Sequence, residues 1–497
     1  MANLKSLAKD TAIYGLSSIV GRFLNYLLVP LYTAKLSAAS GGYGIITNVY
    51  AITALMMVVL TYGMETGFFR FANKKGYNPH RVYSTILTSV ATTSILFLVL
   101  VLSFLTPIAG LLGYADHPEY IGIMAAVVAL DAFQSIPFSY LRQQNRALKF
   151  ASLKLLFIVM NISLNLLYFV AFPAIYAHHP QWIEGIYNPG VGVGYAFGIN
   201  LVCTASITVF FWPELSGFRY VFDYRLWKEI MRYSFPILIL GLAGILNQTA
   251  DKIIFPFVYD APDARMQLGI YGAASKIAMV MAMLLQAFRY AYEPFVFNNS
   301  NQKDSKQANA AAMKYFIIFT LMAFLAVMFY LDLLRYIIAP AYWSGLRVVP
   351  IVMVAEIFMG IYFNLSFWYK LIDQTHWGAW FSLIGCSLII ALNIWLVPHY
   401  GYMACAWAGV IGYGMSMLLS YFIGQRKNPV DYDLRSIARY TSLAVILYFL
   451  FTLVPAEWDI FLRLAIGTLL LGIFVAYTVK HDFPLDRLPF FKKRSRR

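Results

Sequence analysis

The sequence predicts an all-α polytopic membrane protein with 14 transmembrane helices: two parallel six-helix lobes followed by two C-terminal helices. Three observations predict it. The 497 residues are 60% hydrophobic and only 12% charged, whereas soluble domains carry roughly 25% charged residues. Fourteen apolar runs reach the length needed to cross a bilayer, about 20 residues for a hydrocarbon core of about 30 Å. The chain also repeats itself at a shift of 228 residues.

The runs lie near 11–34, 43–68, 82–106, 119–141, 150–172, 190–212 and 231–257, then 268–291, 311–338, 346–369, 377–398, 401–424, 436–455 and 460–480. In lipid every backbone N–H and C=O must pair within the segment, and these runs are too long and uniformly apolar for barrel strands, so they read as helices. The connections are short, which excludes a sizeable extramembrane domain. Lys5 and Lys9 give the first run the look of a signal peptide, but Arg22 and Asn25 interrupt its apolar centre, so it reads as a retained helix.

Orientation follows from Lys and Arg, because short basic connections stay on the cytoplasmic side. With the N-terminus inside, 30 of the 38 basic residues fall in cytoplasmic segments, counting Arg142 to Lys154 as one of them. Six fall on the opposite side, and Arg22 and Lys276 lie within spans. Both termini are therefore expected to be cytoplasmic. The net charge of +15 reflects these loops rather than nucleic-acid binding, and no nucleic-acid partner is expected.

The duplication places Tyr43 on Tyr271, Gly44 on Gly272, Ala54 on Ala282, Tyr62 on Tyr290, Glu65 on Glu293 and Phe69 on Phe297, and farther on Asn165 on Asn393. A shift of 222 places Asn25 on Asn247. Six spans separate the copies, and an even number preserves orientation, so the lobes are parallel repeats about an axis along the membrane normal. The chain divides accordingly into an N-lobe (1–220, helices 1–6), a C-lobe (221–430, helices 7–12) and helices 13–14 with a basic tail (431–497). Two such lobes suit alternating access around a midplane cavity.

Intramembrane charge is costly, about 2.5–3.5 kcal/mol for Arg at a helix centre on insertion scales, and it marks a cavity or a partner. Thr11, Ser18, Arg22 and Asn25 form one polar stripe at helical spacing; it lines either a water-filled cavity or an interhelical hydrogen-bond seam. Lys276 in span eight points inward or snorkels outward. Asn247, Gln248, Asp251 and Lys252 crowd the second half of span seven, where Asp251 forms an internal pair with Lys252, forms a cross-helix pair, or serves coupling. Asp131 in span four and Glu356 in span ten stand apart from obvious partners; each is either a titrating group for H⁺ or Na⁺ coupling or a locally satisfied carboxyl. Glu65 with Arg70, and Glu293 with Arg289, occupy matching helix ends as gate pairs or as solvated structural pairs.

Other motifs fail on context. Gly190, Gly192 and Gly194 imitate a dinucleotide loop, but no strand precedes them. Gly194-x-x-x-Gly198 and Gly63-x-x-x-Gly67 suit close helix contact. His178 and His179 lack companion ligands, and no metal or cofactor is expected. Asp431-Tyr-Asp433 sits in a connection too short for a glycosyltransferase. Cys203, Cys386 and Cys405 lie inside apolar runs and read as packing residues.

Tyr14-Gly-Leu-Ser-Ser-Ile-Val-Gly-Arg22, Leu28-Val-Pro-Leu-Tyr-Thr33, Tyr43-Gly44 and Gly63-Met-Glu-Thr-Gly-Phe-Phe-Arg-Phe71 resemble the bacterial polysaccharide flippases. So do Leu141-Arg-Gln-Gln-Asn-Arg146, Ile270-Tyr-Gly-Ala-Ala-Ser-Lys276 and Leu392-Asn-Ile-Trp-Leu-Val-Pro-His-Tyr-Gly401. The likeness, which covers nearly the whole chain, is to the Wzx-type polysaccharide and O-antigen branch of the multidrug/oligosaccharidyl-lipid/polysaccharide (MOP) exporter superfamily.

That resemblance implies a V-shaped bundle in the bacterial inner membrane that moves undecaprenyl-diphosphate-linked oligosaccharide to the periplasmic leaflet for polysaccharide or lipopolysaccharide synthesis. It implies membrane lipids and other polysaccharide-assembly proteins as partners, and no enzyme chemistry. Related flippases place cations of spans one, two and eight on the diphosphate. Arg22 and Lys276 match spans one and eight, whereas the centre of span two offers no Lys or Arg. The residues agree: a cation 4 Å from a phosphate returns about 4 kcal/mol at an effective dielectric near 20, and Asn25, Asn247 and Gln248 offer hydrogen bonds to sugars. A lipid II flippase and a cation-coupled multidrug exporter are the alternatives within the superfamily. A membrane-embedded polymerase or ligase is the alternative outside it, disfavoured because the longest outer loop, Pro173 to Pro189, is short.

Overall fold

The computed structural model describes residues 26–216, 220–299, 305–372 and 374–482, and among them all regular secondary structure is helical. The principal helices are α1 (Leu28–Lys35), α2 (Gly42–Thr61), α3 (Met64–Ala72), α4 (Pro79–Ser103), α5 (Pro118–Gln143), α6 (Ala147–Leu166) and α7 (Gly194–Phe210). They continue with α8 (Tyr224–Val258), α9 (Ala264–Asn299), α10 (Ser305–Phe329), α11 (Val349–Leu365), α12 (His376–Tyr400), α13 (Tyr402–Lys427), α14 (Leu434–Thr452) and α15 (Ile460–His481). Among the described residues 12 helices are long and apolar enough to cross a membrane, and α7 is a shorter apolar helix. The first predicted span lies mostly outside the described residues, with α1 at its end. The protein is thus an all-helical, multi-pass membrane protein. Its lipid-facing surface is apolar where a soluble protein would be polar: on α4, Ile95 and Leu96 are 63% and 64% exposed.

Local chemistry sets the helix starts. Asn78 accepts a hydrogen bond from the His80 amide ahead of α4, with Pro79 in its first turn. Asp223 accepts from the amides of Arg225 and Leu226 to start α8, and Asp433 and Asp459 cap α14 and α15 in the same way. The predicted ninth span runs too far. Helix α10 ends at Phe329, and a short helix, Leu331–Leu334, carrying Asp332, follows before the 3₁₀ turn at Arg335. Conversely, α8 begins ahead of the predicted seventh span because the Asp223 cap extends it beyond the apolar run.

The second span is broken in two. Tyr62 and Gly63 both adopt left-handed backbone, with φ of 32° and 74°, between α2 and α3. A Cβ on Gly63 would lie 2.7 Å from the Ser234 carbonyl oxygen, and one on Gly67 2.7 Å from the Ser234 hydroxyl. The Gly63-x-x-x-Gly67 motif therefore lets α8 cross the break, as its spacing predicts. Gly194 lies close to Tyr120, but Gly198 faces open space, so the second motif packs only at its first glycine.

The helices cluster into two compact units. One extends to Ala273 and includes Cys386–Cys405; the other comprises Ala274–Gly385 and the chain from Ala406 onward. In the first, a core of Phe68, Tyr83, Ile86, Ile136 and Ile230 joins α3, α4, α5 and α8, with Tyr83 stacked on Tyr140 at 4.2 Å. In the second, α15 is fastened at one end to α10 and α14 and at the other to the short helix that follows α10. Lys314 lies 2.6 Å from Asp482, which also accepts from the Tyr440 hydroxyl at 2.5 Å, and Asp332 lies 3.0 Å from Arg463. Asp482 loses hydration through burial, but hydrogen bonds from Lys314 and Tyr440 outweigh this and hold its carboxyl below the usual range.

The duplication leaves a local signature. Repeat-related Asn165 and Asn393 are both fully buried, and each donates its side-chain amide to the carbonyl one turn earlier, Asn161 and Ile389, at 2.8 Å. Cys203, Cys386 and Cys405 are buried and free, as expected of packing residues.

Candidate functional site

Of the residues singled out from sequence, Arg22 and Asn25 lie outside the described residues, as does the side chain of Glu293. Asn247 is half-buried and Gln248 exposed on α8. Lys276 on α9, Glu356 on α11 and Arg289 on α9 belong to the second unit; the first two are half-buried, and the Arg289 guanidinium lies 3.9 Å from the centre of the Phe363 ring.

At the face opposite the basic connections, the ends of α8, α2 and α9 are tied together. Lys252 Nζ contacts both oxygens of Asp251, at 3.1 and 3.0 Å, and the Gln248 carbonyl at 3.1 Å. Tyr271 donates to Asp251 at 2.6 Å. Asn48 on α2 donates to the Lys252 carbonyl at 2.7 Å and accepts from Tyr114 at 2.8 Å. Of the readings left open for Asp251, the structure thus forms the internal pair with Lys252 together with a cross-helix hydrogen bond from Tyr271. Arg265 hydrogen-bonds the Gly113 carbonyl and stacks over Tyr114 at 5.0 Å. Burial raises the Tyr114 hydroxyl pKa and keeps it a donor.

This contact is closed by glycine. A Cβ on Gly44 would lie 1.8 Å from the Arg265 carbonyl oxygen, and one on Gly272 2.4 Å from the Thr47 hydroxyl. The two glycines are related by the repeat shift; Gly44 admits α9 at backbone distance, whereas Gly272 makes room for the Thr47 side chain of α2.

At the basic end of the first unit the pairing differs from the expected one. Glu65 is 3.0 Å from Arg142 Nη2, not paired with Arg70, which instead stacks over Tyr233 at 4.2 Å. Five residues apart on one helix, Arg70 points about 140° away from Glu65, whereas the end of α5 brings Arg142 alongside Glu65. Arg142 also donates to Ser139 at 3.1 Å. The repeat shift that carries Glu65 onto Glu293 carries Arg142 onto Lys370. Nearby, Glu214, with its side chain 1% exposed, holds Arg146 at 2.7 Å and Lys149 at 2.6 Å.

Deeper in the same unit lies an intramembrane polar group. Asp131, half-buried on α5, accepts from the Thr204 hydroxyl at 3.4 Å; Gln134 donates to the Thr204 carbonyl and to Thr208, and Asn200 donates to Tyr50 at 2.8 Å. Lys154, counted by sequence with the cytoplasmic basic segment although it lies inside the predicted fifth span, is the eighth residue of α6, about 10 Å into the helix. Its ammonium lies 4.0 Å from the Phe138 ring centre, within electrostatic reach of Asp131, Glu65 and Arg142. Sequence reasoning missed Arg142, Lys154 and Glu214 as site residues, because their partners lie tens of residues away and basic residues at a helix start count with the cytoplasmic segment.

The geometry offers charged and hydrogen-bonding groups, held by helix packing, along two ends of a membrane bundle. Comparison with known proteins places this arrangement. No curated protein matches the sequence. Among solved structures, the lipid II flippase MurJ in an inward-closed conformation is similar, with a TM-score of 0.73 at 15% identity over 95% of this chain and 99% of that one. An inward-facing multidrug resistance MATE family transporter of the MOP superfamily gives 0.60 at 14% identity over 84% and 94%. The MATE multidrug transporter DinF-BH gives 0.59 at 18% over 85% and 96%. At these identities the likeness is one of fold. The model of a family described as polysaccharide biosynthesis protein matches residues 7–295, more than half of the chain, and the protein belongs to that family.

Proposed function

We propose that the protein translocates undecaprenyl-diphosphate-linked oligosaccharide across the bacterial inner membrane by alternating access, in polysaccharide or lipopolysaccharide biosynthesis. The observation that carries this reading is a transporter fold on a chain of the polysaccharide biosynthesis family. The diphosphate must shed water to cross, and fixed cations replace that hydration; Arg22 and Lys276 supply such charge within spans one and eight, while Asn25, Asn247 and Gln248 supply hydrogen bonds to sugar. Residues 1–220 and 221–430 act as the two lobes, with 431–497 as an appendage. The Gly44 and Gly272 crossing acts as the outer gate, and the Glu65 and Arg142 pair belongs to the inner side, where the positive-inside count places both termini. Asp131 and Glu356 are the carboxyls for H⁺ or Na⁺ coupling; Asp251, bonded to Lys252 and Tyr271, serves the outer gate. Membrane lipids and polysaccharide-assembly proteins are its partners.

Reconstitution tests this. Vesicles carrying the purified chain should move a fluorescent undecaprenyl-diphosphate oligosaccharide between leaflets, and Arg22→Ala should abolish movement while leaving insertion intact. Drug efflux in place of glycolipid movement would refute the proposal.

A further inference from the structure

We propose that Lys154 and Arg142 form a diphosphate-binding site on the α5–α6 wall of the first unit, with Glu65 as a built-in anion that the ligand displaces. The assignment rests on the function proposed above for the chemical nature of the ligand, and on the following geometry for its place. Phe138 and Phe150 meet edge-to-face at 5.3 Å. Lys154 lies over Phe138 at 4.0 Å, and Arg142 over Phe150 at 5.8 Å and over Phe69 at 4.9 Å. The two cations thus flank one aromatic pair, which holds them in place and lowers the local dielectric without neutralising either.

Both retain unused donors. Lys154 is exposed and, among the described residues, makes no hydrogen bond or ion pair. Arg142 spends Nη2 on Glu65 and Ser139, its Nε is enclosed, and its Nη1 is the accessible donor with no hydrogen bond among the described residues. A guanidinium presents its donors as a planar fork suited to phosphate oxygens, and here part of that fork is idle. Glu65 is 44% exposed and is held through one oxygen alone, which accepts from Arg142 at 3.0 Å and from the Ser139 hydroxyl at 3.2 Å, so it can swing aside once a phosphate oxygen replaces it on those donors. Asp131 also lies near Lys154, but it accepts from Thr204. Two cations with idle N–H groups beside a displaceable carboxylate suit a multivalent phosphate anion better than a cation or a neutral sugar.

The test uses the full chain in nanodiscs of zwitterionic lipid, with inorganic pyrophosphate and farnesyl diphosphate as probes in a direct binding measurement. Lys154→Gln and Arg142→Gln should each weaken pyrophosphate binding by about tenfold or more, the effect of losing a charge-assisted contact, whereas Glu65→Gln should tighten it by freeing Arg142. A purely structural Glu65–Arg142 pair would give the opposite sign for Glu65→Gln and would overturn the proposal, as would unchanged affinity in Lys154→Gln. Competition by farnesyl diphosphate but not by added phosphatidylglycerol supports a lipid-linked diphosphate as occupant; the reverse assigns the site to bilayer lipid and overturns the inference. Binding that tracks Lys154 and Glu65 in protein that moves no glycolipid keeps the site and fails the transport reading. Glycolipid movement with pyrophosphate affinity indifferent to both changes does the converse.

Discussion

Gly44→Ala perturbs the contact between α2 and α9 by one methyl group. The added Cβ would lie 1.8 Å from the Arg265 carbonyl oxygen and 3.0 Å from the Gly269 amide nitrogen, where ordinary contact begins at 3.4 Å. The obstacle is backbone, so no side chain can rotate away, and the helices must separate by about 1.5 Å; overpacking of this kind costs about 1–3 kcal/mol. If the contact exists only when the outer gate is shut, that cost falls on one conformation and shifts the equilibrium about 5–150-fold toward the other. Spin labels at Ser37→Cys and Pro262→Cys, both exposed on connections at this end, would report it, since the native cysteines are buried. Pulsed dipolar spectroscopy in nanodiscs should show a new, longer distance in Gly44→Ala. A distribution identical to that of the parent protein would refute the assignment of this contact to a gate. Gly272→Ala should act alike, but because its obstacle is the Thr47 side chain, adding Thr47→Ala should restore the parent distribution.

Other predictions concern the supporting contacts. Asn48→Ala strands the buried Tyr114 hydroxyl and the partly buried Lys252 carbonyl, and should cost about 1–3 kcal/mol in thermal unfolding. Removing both Arg146 and Lys149 leaves the Glu214 carboxylate buried and uncompensated and should cost about 3–5 kcal/mol. Glu214→Gln should cost less, because Arg146 is 46% exposed and can turn to water; equal losses would contradict this account. The Asp482 carboxyl is depressed in the folded protein, so its stabilising contribution is present above the usual aspartate pKa of about 3.9 and is lost as pH falls below that value through the folded pKa. Hydrogen exchange at the start of α14 should therefore hold steady from neutral to mildly acidic pH and rise only under stronger acid, and Asp482→Asn should remove that response.

The helical bundle was legible because hydropathy needs only local composition. The repeat was legible because Tyr-Gly and Glu recur in register, and buried Asn165 and Asn393 repeat the same hydrogen bond in three dimensions. Pairing was less legible. Glu65 has Arg70 close in sequence, yet the chain break at Tyr62 and Gly63 turns α3 so that the end of α5, 77 residues away, supplies the partner. Lys154 counts with the cytoplasmic segment because basic residues crowd the start of α6, and although the predicted span from 150 already contains it, no local pattern reveals that it faces Phe138 and Asp131. Sequence offers Asp251 a pair with Lys252 or across helices, but the identities of Tyr271 and Asn48 enter only once α9 and α2 are packed against α8. What sequence pattern conveys here is which segments cross; which charges meet depends on crossings set by glycines and helix breaks.

Movement of a fluorescent undecaprenyl-diphosphate oligosaccharide in vesicles, measured before and after a bifunctional cross-link between Ser37→Cys and Pro262→Cys, tests the central claim most directly. Transport above the protein-free rate, arrested by the cross-link and restored when the linker is cleaved, is the predicted result. No transport, or transport indifferent to the cross-link, would contradict a glycolipid carrier that works by opening α2 from α9.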